Sequence, residues 1–345
     1  MMNARAAKKL AQAAAFGGGG LGLIGATLYG VLTAEAEYAK RVIGPAKAHP
    51  AKGDGLYGRY PGRPITFAMI GDSSAAGYGT SSPDETPGVL LAGGLAELAK
   101  RPVRLVDVSR TGAKSVDLAG QVDNALLAGP HVAVILIGVN DVKSQVPPSQ
   151  AVRLLDSAVR RLRAANCEVV VGTCPDLGVV RPIMPPLRQI ARSWSRRLAA
   201  AQTITVVEAG GRTVSMGSLL SEAFRTNPSM WGPDNFHPSV TGYAAASAAL
   251  LPSVAAAVGV GPESFVHPES FRGEAVLPIA EAAVAAAKTA GTEVAAAKVA
   301  GHDRGPSGRW AQLRHRRRHP EADVERVEEP SDQVADTGDA VPVGK

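Results

Sequence analysis

The 345-residue sequence has little cysteine, few aromatics and no basic stripe of the kind nucleic acids select. Its two cysteines, Cys167 and Cys174, flank Glu168–Gly172, which reads as a buried strand. If that strand is extended, seven residue steps separate them by about 23 Å. A disulfide needs Cα atoms within about 7 Å, so both are expected to be free thiols. No disulfide framework therefore testifies to export. Neither cysteine has a histidine nearby at zinc-ligand spacing, and no metal or other cofactor is implied. Aromatics are only 4% of residues and are not interleaved with the basic ones, which argues against single-stranded nucleic acid as a partner. The net charge of +6 owes much to one C-terminal segment. No internal repeat is present.

Apolar residues make up 45% of the chain, enough for a sizeable core. The N-terminus carries Arg5, Lys8 and Lys9, and then no charge from Leu10 to Ala34. About 20 apolar residues span a bilayer as a helix, and basic residues before the run favour a cytoplasmic N-terminus. A single retained N-terminal anchor with the rest of the chain on the extracytoplasmic side is the reading taken. Two alternatives stay open. Ala34-Glu35-Ala36 resembles a small-x-small cleavage site, which would make the segment a removable signal. The four consecutive glycines Gly17–Gly20 weaken any helix, which leaves room for a soluble Ala/Gly-rich segment. Lys40, Arg41 and Lys47 follow the run and soften the orientation.

Residues 1–43 are thus read as anchor or signal, 44–63 as a Gly/Pro-containing linker, 64–258 as the main domain and 259–345 as an appendage. In the main domain, apolar runs at Ile65–Ile70, Val103–Val108, Val132–Ile137, Glu168–Thr173 and Ile204–Val207 are predicted strands. Helices are predicted at Thr86–Lys100, Val116–Leu127, Ser149–Ala165, Leu187–Ala201 and Gly242–Ala257. Strands alternating with helices predict a mostly parallel sheet covered on both faces, an α/β architecture. In the appendage, Ala282–Ala300 reads as an Ala-rich helix and Arg309–His319 as a basic segment. Most of Gly301–Lys345 is expected to be disordered, because its composition cannot offset ordering entropy. Arg314–His319 reads either as an anchor for anionic headgroups or as a solvated spacer.

Ligand-facing residues of an open parallel sheet cluster at the carboxyl ends of its strands. Four segments there carry chemistry. After the first strand comes Gly71-Asp72-Ser73, where Ser73 is either an exposed nucleophile at a strand-to-helix turn or a helix cap. After the second, Gly112 either brings a backbone N–H close to a ligand or only turns the chain. After the third comes Gly138-Val139-Asn140-Asp141, whose Asn140 either donates to a developing oxyanion or forms a turn. Beyond the fifth lies Asp234-x-x-His237-Pro238. His237 can take a serine proton, and a carboxylate three residues earlier can orient its ring. Among seven histidines only His237 has that combination; His131 sits at the amino end of its strand, and His267 has Ser264 where an acid is needed.

These four segments, in this order, resemble the blocks of the SGNH (GDSL) hydrolases over roughly Pro64 to Ala257, with insertions as short as in the bacterial esterase and lysophospholipase branch. The resemblance implies a flavodoxin-like three-layer α/β/α sandwich with a five-stranded parallel sheet in the order 2-1-3-4-5. It also implies roles. Ser73 is the nucleophile, His237 the general base, and Asp234 its orienting acid. The Ser73 and Gly112 N–H groups and the Asn140 side chain form the oxyanion hole, with Gly71, Asp72, Gly138, Asp141 and Pro238 as supporting motif residues. The first block departs from the commoner pattern, with Ser74-Ala75-Ala76-Gly77 following the serine. The implied activity is that of a serine esterase or lipase acting on a lipid or small acyl ester, an O-acetylated glycan being the near alternative. Two other readings remain open: a non-catalytic lipid- or glycan-binding module, and an acyltransferase using the same triad. The α/β-hydrolase fold is disfavoured, because its G-x-S-x-G motif would need glycine where Ala75 stands.

Overall fold

The computed structural model describes residues 19–44, 50, 52–217, 219–260, 276–289, 292–297, 304–305 and 308–315. The expectations for the first eighteen residues, for residues 45–49 and 51 of the 44–63 linker, and for the acidic tail lie outside the described residues.

The chain enters through helix α1 (Gly19–Ile43) and a short strand β1 (Gly55–Tyr57). The central βα units follow: β2 (Ile65–Gly71), α2 (Ser73–Ala76), α3 (Pro87–Ala99), β3 (Val103–Asp107), α4 (Leu118–Leu126) and β4 (Val132–Leu136). Then come α5 (Val139–Lys143), α6 (Pro148–Ala164), β5 (Glu168–Gly172), α7 (Leu187–Glu208) and β6 (Arg212–Val214). Helices α8 (Leu219–Thr226) and α9 (Val240–Ala257) close this part. The C-terminal part adds β7 (Val276–Pro278), α10 (Ile279–Lys288), β8 (Thr292–Ala297), β9 (Arg304–Gly305) and β10 (Gly308–His315).

The parallel strands run β3-β2-β4-β5-β6, which is the order 2-1-3-4-5. All seven residues of β2 and all five of β4 are buried, as strands covered on both faces require. Alternate side chains serve opposite layers. Phe67, Met69 and Val134 pack with Leu91 and Leu95 of α3 and Leu250 and Val254 of α9. Ala68, Ile70 and Ile135 pack with Val122 of α4, Val159 and Leu162 of α6, and Val206 of α7.

The sheet is larger than five strands. β1 adds antiparallel to β3, and β8, β10 and β7 extend the opposite edge beyond β6 in antiparallel fashion, giving a mixed ten-stranded sheet with β9 paired to β10. The expected five-stranded parallel sheet is therefore the centre of the observed one rather than the whole.

Three sequence expectations are corrected. Ile204–Val207 is not a strand: it is the last turn of α7, and the fifth parallel strand is Arg212–Val214. The β-branched run suggested a strand, but Leu198, Gln202, Thr203 and Val206 continue one buried helical face. The helix stops only at Gly210, in the left-handed region at φ +85°. Ala282–Ala300 is not one helix either. It comprises α10 and then strand β8, whose Thr292, Glu293 and Val294 are buried. Finally, Gly308–His315 is not disordered, because it is a sheet strand with Arg314 buried. Arg314 thus does not belong to an exposed basic cluster; Arg316–His319 lie outside the described residues.

Among the described residues, the helix long and apolar enough to cross a membrane by length and composition is α9, and it is a core helix with half of it buried. Helix α1 lies against the start of α7, where Glu35 Oε2 accepts from the Leu187 N–H at 2.9 Å.

Candidate active site

Ser73 follows a strand end that is tightly determined. Gly71 has φ +139°, and a Cβ there would stand 2.0 Å from the Leu136 carbonyl oxygen, so only glycine lets β2 run this close to β4. The Asp72 N–H donates to Leu136 O at 3.0 Å, and Asp72 Oδ1 accepts from the Ser74 N–H at 2.8 Å as the cap of α2. Ser73 is therefore the first residue of the helix rather than its cap. Asp72 is buried, and its second oxygen has no partner among the described side chains. Burial pushes its carboxyl up to about 7, against the Ser74 hydrogen bonds that favour the ionised form.

The opposite partner comes from the loop before α9. Asp234 Oδ1 accepts from the N–H groups of Phe236 and His237 at 3.0 and 2.9 Å. Asn235 sits at φ +53°, and the Gly232 N–H donates to His237 O at 2.8 Å. Pro238 pairs across the loop with Trp231, closing it as a narrow bridge. Within this turn His237 Nδ1 lies 2.6 Å from Asp234 Oδ2, and His237 Nε2 lies 3.0 Å from Ser73 Oγ. Burial alone would raise the Asp234 carboxyl, but the hydrogen bonds from the His237 ring and two backbone N–H groups hold it below the usual carboxylate range. The imidazole is contacted by two rings, a tilted Tyr78 at 4.4 Å and an edge-on Phe236 at 4.9 Å between centroids.

The third wall is the turn after β3. Gly112 lies there at φ +82°, with open space where a Cβ would go. Its loop is gripped from α5: Asn140 Nδ2 donates to Ala113 O at 3.0 Å, and the Asp141 carboxylate accepts from Ser115 N and Oγ at 3.1 Å. Burial raises the Asp141 carboxyl. Gly138 caps α5 at φ +132°. The structure thus brings all the expected residues to one edge of the sheet. His131 is at the other edge, where its Nδ1 accepts from the Thr66 N–H at 2.9 Å.

Two buried glutamines escaped the sequence reading. Gln121 of α4 embraces the Gly71 peptide, accepting from its N–H at 2.7 Å and donating to its oxygen at 2.9 Å. Gln202 of α7 donates to Ile137 O at 2.9 Å and accepts from the Cys174 N–H at 2.7 Å, tying the ends of β4 and β5 together. The available signal was a lone amide on an apolar stripe, as in Leu118, Gln121, Val122 and Ala125.

Beside His237 lies a mostly apolar cleft lined by Leu177, Val179, Val180, Phe224, Trp231 and Phe236. Trp231 donates its indole N–H to Phe224 O at 2.7 Å while lining this cleft, so it is both anchored in the core and available to a ligand. Cys167 and Cys174 are buried thiols, and burial pushes Cys167 up to about 12.

Comparison with known proteins places the chain in a family. The sequence profile of the GDSL-like lipase/acylhydrolase family matches residues 69–245, just over half of the chain. The chain belongs to that family. As a GDSL protein it is a carboxylic ester hydrolase by class. It is similar to a GDSL-like esterase of Mycobacterium tuberculosis, at 40% identity over 263 residues covering 72% of this chain and 83% of the relative. Among solved structures it is similar to the acetylxylan esterase Axe2 of Geobacillus stearothermophilus, with 19% identity, TM-score 0.43 and coverage of 60% of this chain and 96% of that one. It is also similar to TesA, with 25% identity, TM-score 0.42 and coverage of 56% and 97%.

Proposed function

We propose that this GDSL hydrolase cleaves an acyl ester by two-step acyl transfer through Ser73, His237 and Asp234. One observation carries the reading: an unbroken relay from Ser73 Oγ to His237 Nε2 at 3.0 Å and from His237 Nδ1 to Asp234 Oδ2 at 2.6 Å. Ser73 Oγ attacks the ester carbonyl as its proton passes to His237 Nε2. The tetrahedral oxyanion collapses, the C–O bond breaks, and the leaving alkoxide takes that proton. Water then attacks the acyl-enzyme, gives its proton to His237, and the acid departs as Ser73 Oγ is reprotonated. Asp234, held ionised, keeps the Nδ1 proton facing it and offsets the charge of the transient imidazolium.

The oxyanion donors in this reading are the Ser73 and Gly112 N–H groups and Asn140 Nδ2. The amide of Asn140 carries two hydrogens, and Ala113 O takes one. The apolar cleft beside His237 suits an acyl chain. We infer further that Leu10–Ala34 is a retained membrane anchor with the catalytic domain outside the cytoplasm, supported by the uncharged run and the basic residues before it.

The test of the catalytic reading is fluorophosphonate labelling of the full chain, with the adduct mapped by mass spectrometry. Labelling that disappears in Ser73→Ala and persists in Ser74→Ala is the expected outcome. Labelling that survives Ser73→Ala, or an unlabelled folded protein, overturns it.

A further inference from the structure

Helix α1 is one continuous element with two different halves. Its C-terminal half is docked: Leu32, Glu35, Ala36, Ala39 and Ile43 are wholly or partly buried, at the spacing of a single helical face. Residues 25–31 are all exposed, although Leu28, Tyr29 and Val31 are large and apolar. The change of environment falls within a few residues of Ala34, where the uncharged stretch ends.

The first charge after that stretch, Glu35, does not face open water alone. Its carboxylate accepts from the Leu187 N–H at the first turn of α7, where the preceding cap residue, Pro186, supplies no side-chain hydrogen bond. A residue 152 positions earlier in sequence therefore caps this helix. Cleavage after Ala36 would remove both the cap and much of the docked face.

From this contact the chain leads directly to the cleft. Arg188 donates from Nε to Ile183 O at 2.7 Å and from Nη2 to Arg181 O at 3.3 Å, folding the 181–187 loop onto the start of α7. Immediately upstream, Leu177, Val179 and Val180 form the cleft wall facing His237. In the same turn, Met184 and Ile190 flank Leu187 and are 49% and 37% exposed, two large apolar side chains close in sequence to Arg181, Arg188 and Arg192.

We propose that α1 is a rigid post that seats the start of α7 on an anionic lipid bilayer. Met184 and Ile190 enter the headgroup boundary there, Arg181 and Arg188 meet lipid phosphates, and the neighbouring cleft draws its ester from the bilayer. The substrate class is then an amphiphilic acyl ester resident in the membrane rather than a soluble acetylated glycan. This rests on the esterase and anchor readings above and deepens them. The occupant is a bilayer because the exposed stretch 25–31 of α1 belongs to an uncharged run long enough to span one, with basic side chains at the boundary.

The test uses the full chain reconstituted in phosphatidylcholine–phosphatidylglycerol vesicles and two substrates, a long-chain fluorogenic ester embedded in the bilayer and a water-soluble acetyl ester. The double variant Met184→Asp/Ile190→Asp changes only exposed side chains. It is expected to lose about tenfold or more of its turnover of the embedded ester, the scale of one apolar side chain lost from an apolar contact. Turnover of the soluble ester should stay within about twofold. Glu35→Ala should show the same split. Equal loss on both substrates in the double variant, or no loss on either, overturns the proposal. So does recovery of the mature protein without residues 1–36. A failure of the catalytic reading is distinguishable, because Ser73→Ala would then still hydrolyse the soluble ester.

Discussion

On one side of Ser73, the proposed acid and base come from a single turn, three residues apart, held by hydrogen bonds that begin and end between Trp231 and Pro238. On the other side, the proposed oxyanion donors come from three separate strand ends. They are held together by side chains distant in sequence: Asn140 on Ala113, Asp141 on Ser115, and Gln121 on Gly71. The first side is local and can form its geometry with few outside contacts. The second exists only once β2, β3 and β4 have taken their places, so its precision depends on buried polar clamps. A buried donor or acceptor stripped of its partner costs more than the bond contributes net, which makes those clamps stiff.

Substitutions on each side should break this contrast in different ways. Asp234→Asn, on the local side, leaves the loop shape but lets the imidazole take the wrong tautomer. A loss of about 10⁴-fold in kcat with little change in KM is expected from steady-state kinetics on a soluble ester. A loss below tenfold would mean that Asp234 is not the orienting acid.

Asn140→Ala removes a proposed donor from the assembled side, and a loss of about 10²–10³-fold in kcat is expected. The measurement that sharpens the comparison is binding of a boronic acid that mimics the tetrahedral adduct. Its affinity should fall with kcat if Asn140 serves the oxyanion and should stay unchanged if Asn140 only holds Ala113.

Gln121→Leu keeps volume but takes away the acceptor of the Gly71 N–H. A stability loss of about 1–3 kcal/mol is expected from denaturant unfolding. Because the Gly71 peptide leads into Ser73, kcat should fall as well, whereas a clamp on the local loop would have no such reach. Unaltered kcat in a folded Gln121→Leu protein would separate the amide from nucleophile positioning.

A further effect concerns pH. The folded Asp72 carboxyl, at about 7, holds its proton where the unfolded chain, near the ordinary carboxylate value of about 3.9, has lost it. The native state then binds more protons than the unfolded state over that interval. The contribution of Asp72 is fully present below about pH 4, is lost as pH rises towards 7, and is level above that. Asp72→Asn should remove this decline from unfolding midpoints measured between pH 4 and 9. An identical slope in both proteins would show that another group governs it.

Legibility in the sequence follows the same division. Ser73, Gly112, Asn140, Asp234 and His237 stood out as candidates because each sits in a short block at or beyond a strand end. The alternation of runs such as Val132–Leu136 with helices indicates a mostly parallel sheet, whereas its order 2-1-3-4-5, as observed, was implied by the resemblance to the SGNH hydrolases. Gln121 and Gln202 were not, since an isolated amide on an apolar face has many possible partners and sequence does not say which strand end it meets. Ile204–Val207 misled because β-branched residues favour strands locally, while packing of the whole α7 face decided for a helix. The Ala-rich region likewise has high helix propensity on either side of Thr289–Thr292. Yet Thr292–Ala297 becomes a strand because the open edge of β6 offers unpaired backbone groups that an added strand satisfies.

What the sequence by itself determined is therefore the set of candidate site residues and most of the parallel core: local blocks and periodicity specify which atoms are present and which faces are apolar. Only the tertiary structure decided the antiparallel extension of the sheet, the clamps on the strand ends and the docking of Glu35 on Leu187. Each of these joins groups far apart in the chain, and such pairings take their energy from burial and hydrogen bonds that no local pattern encodes.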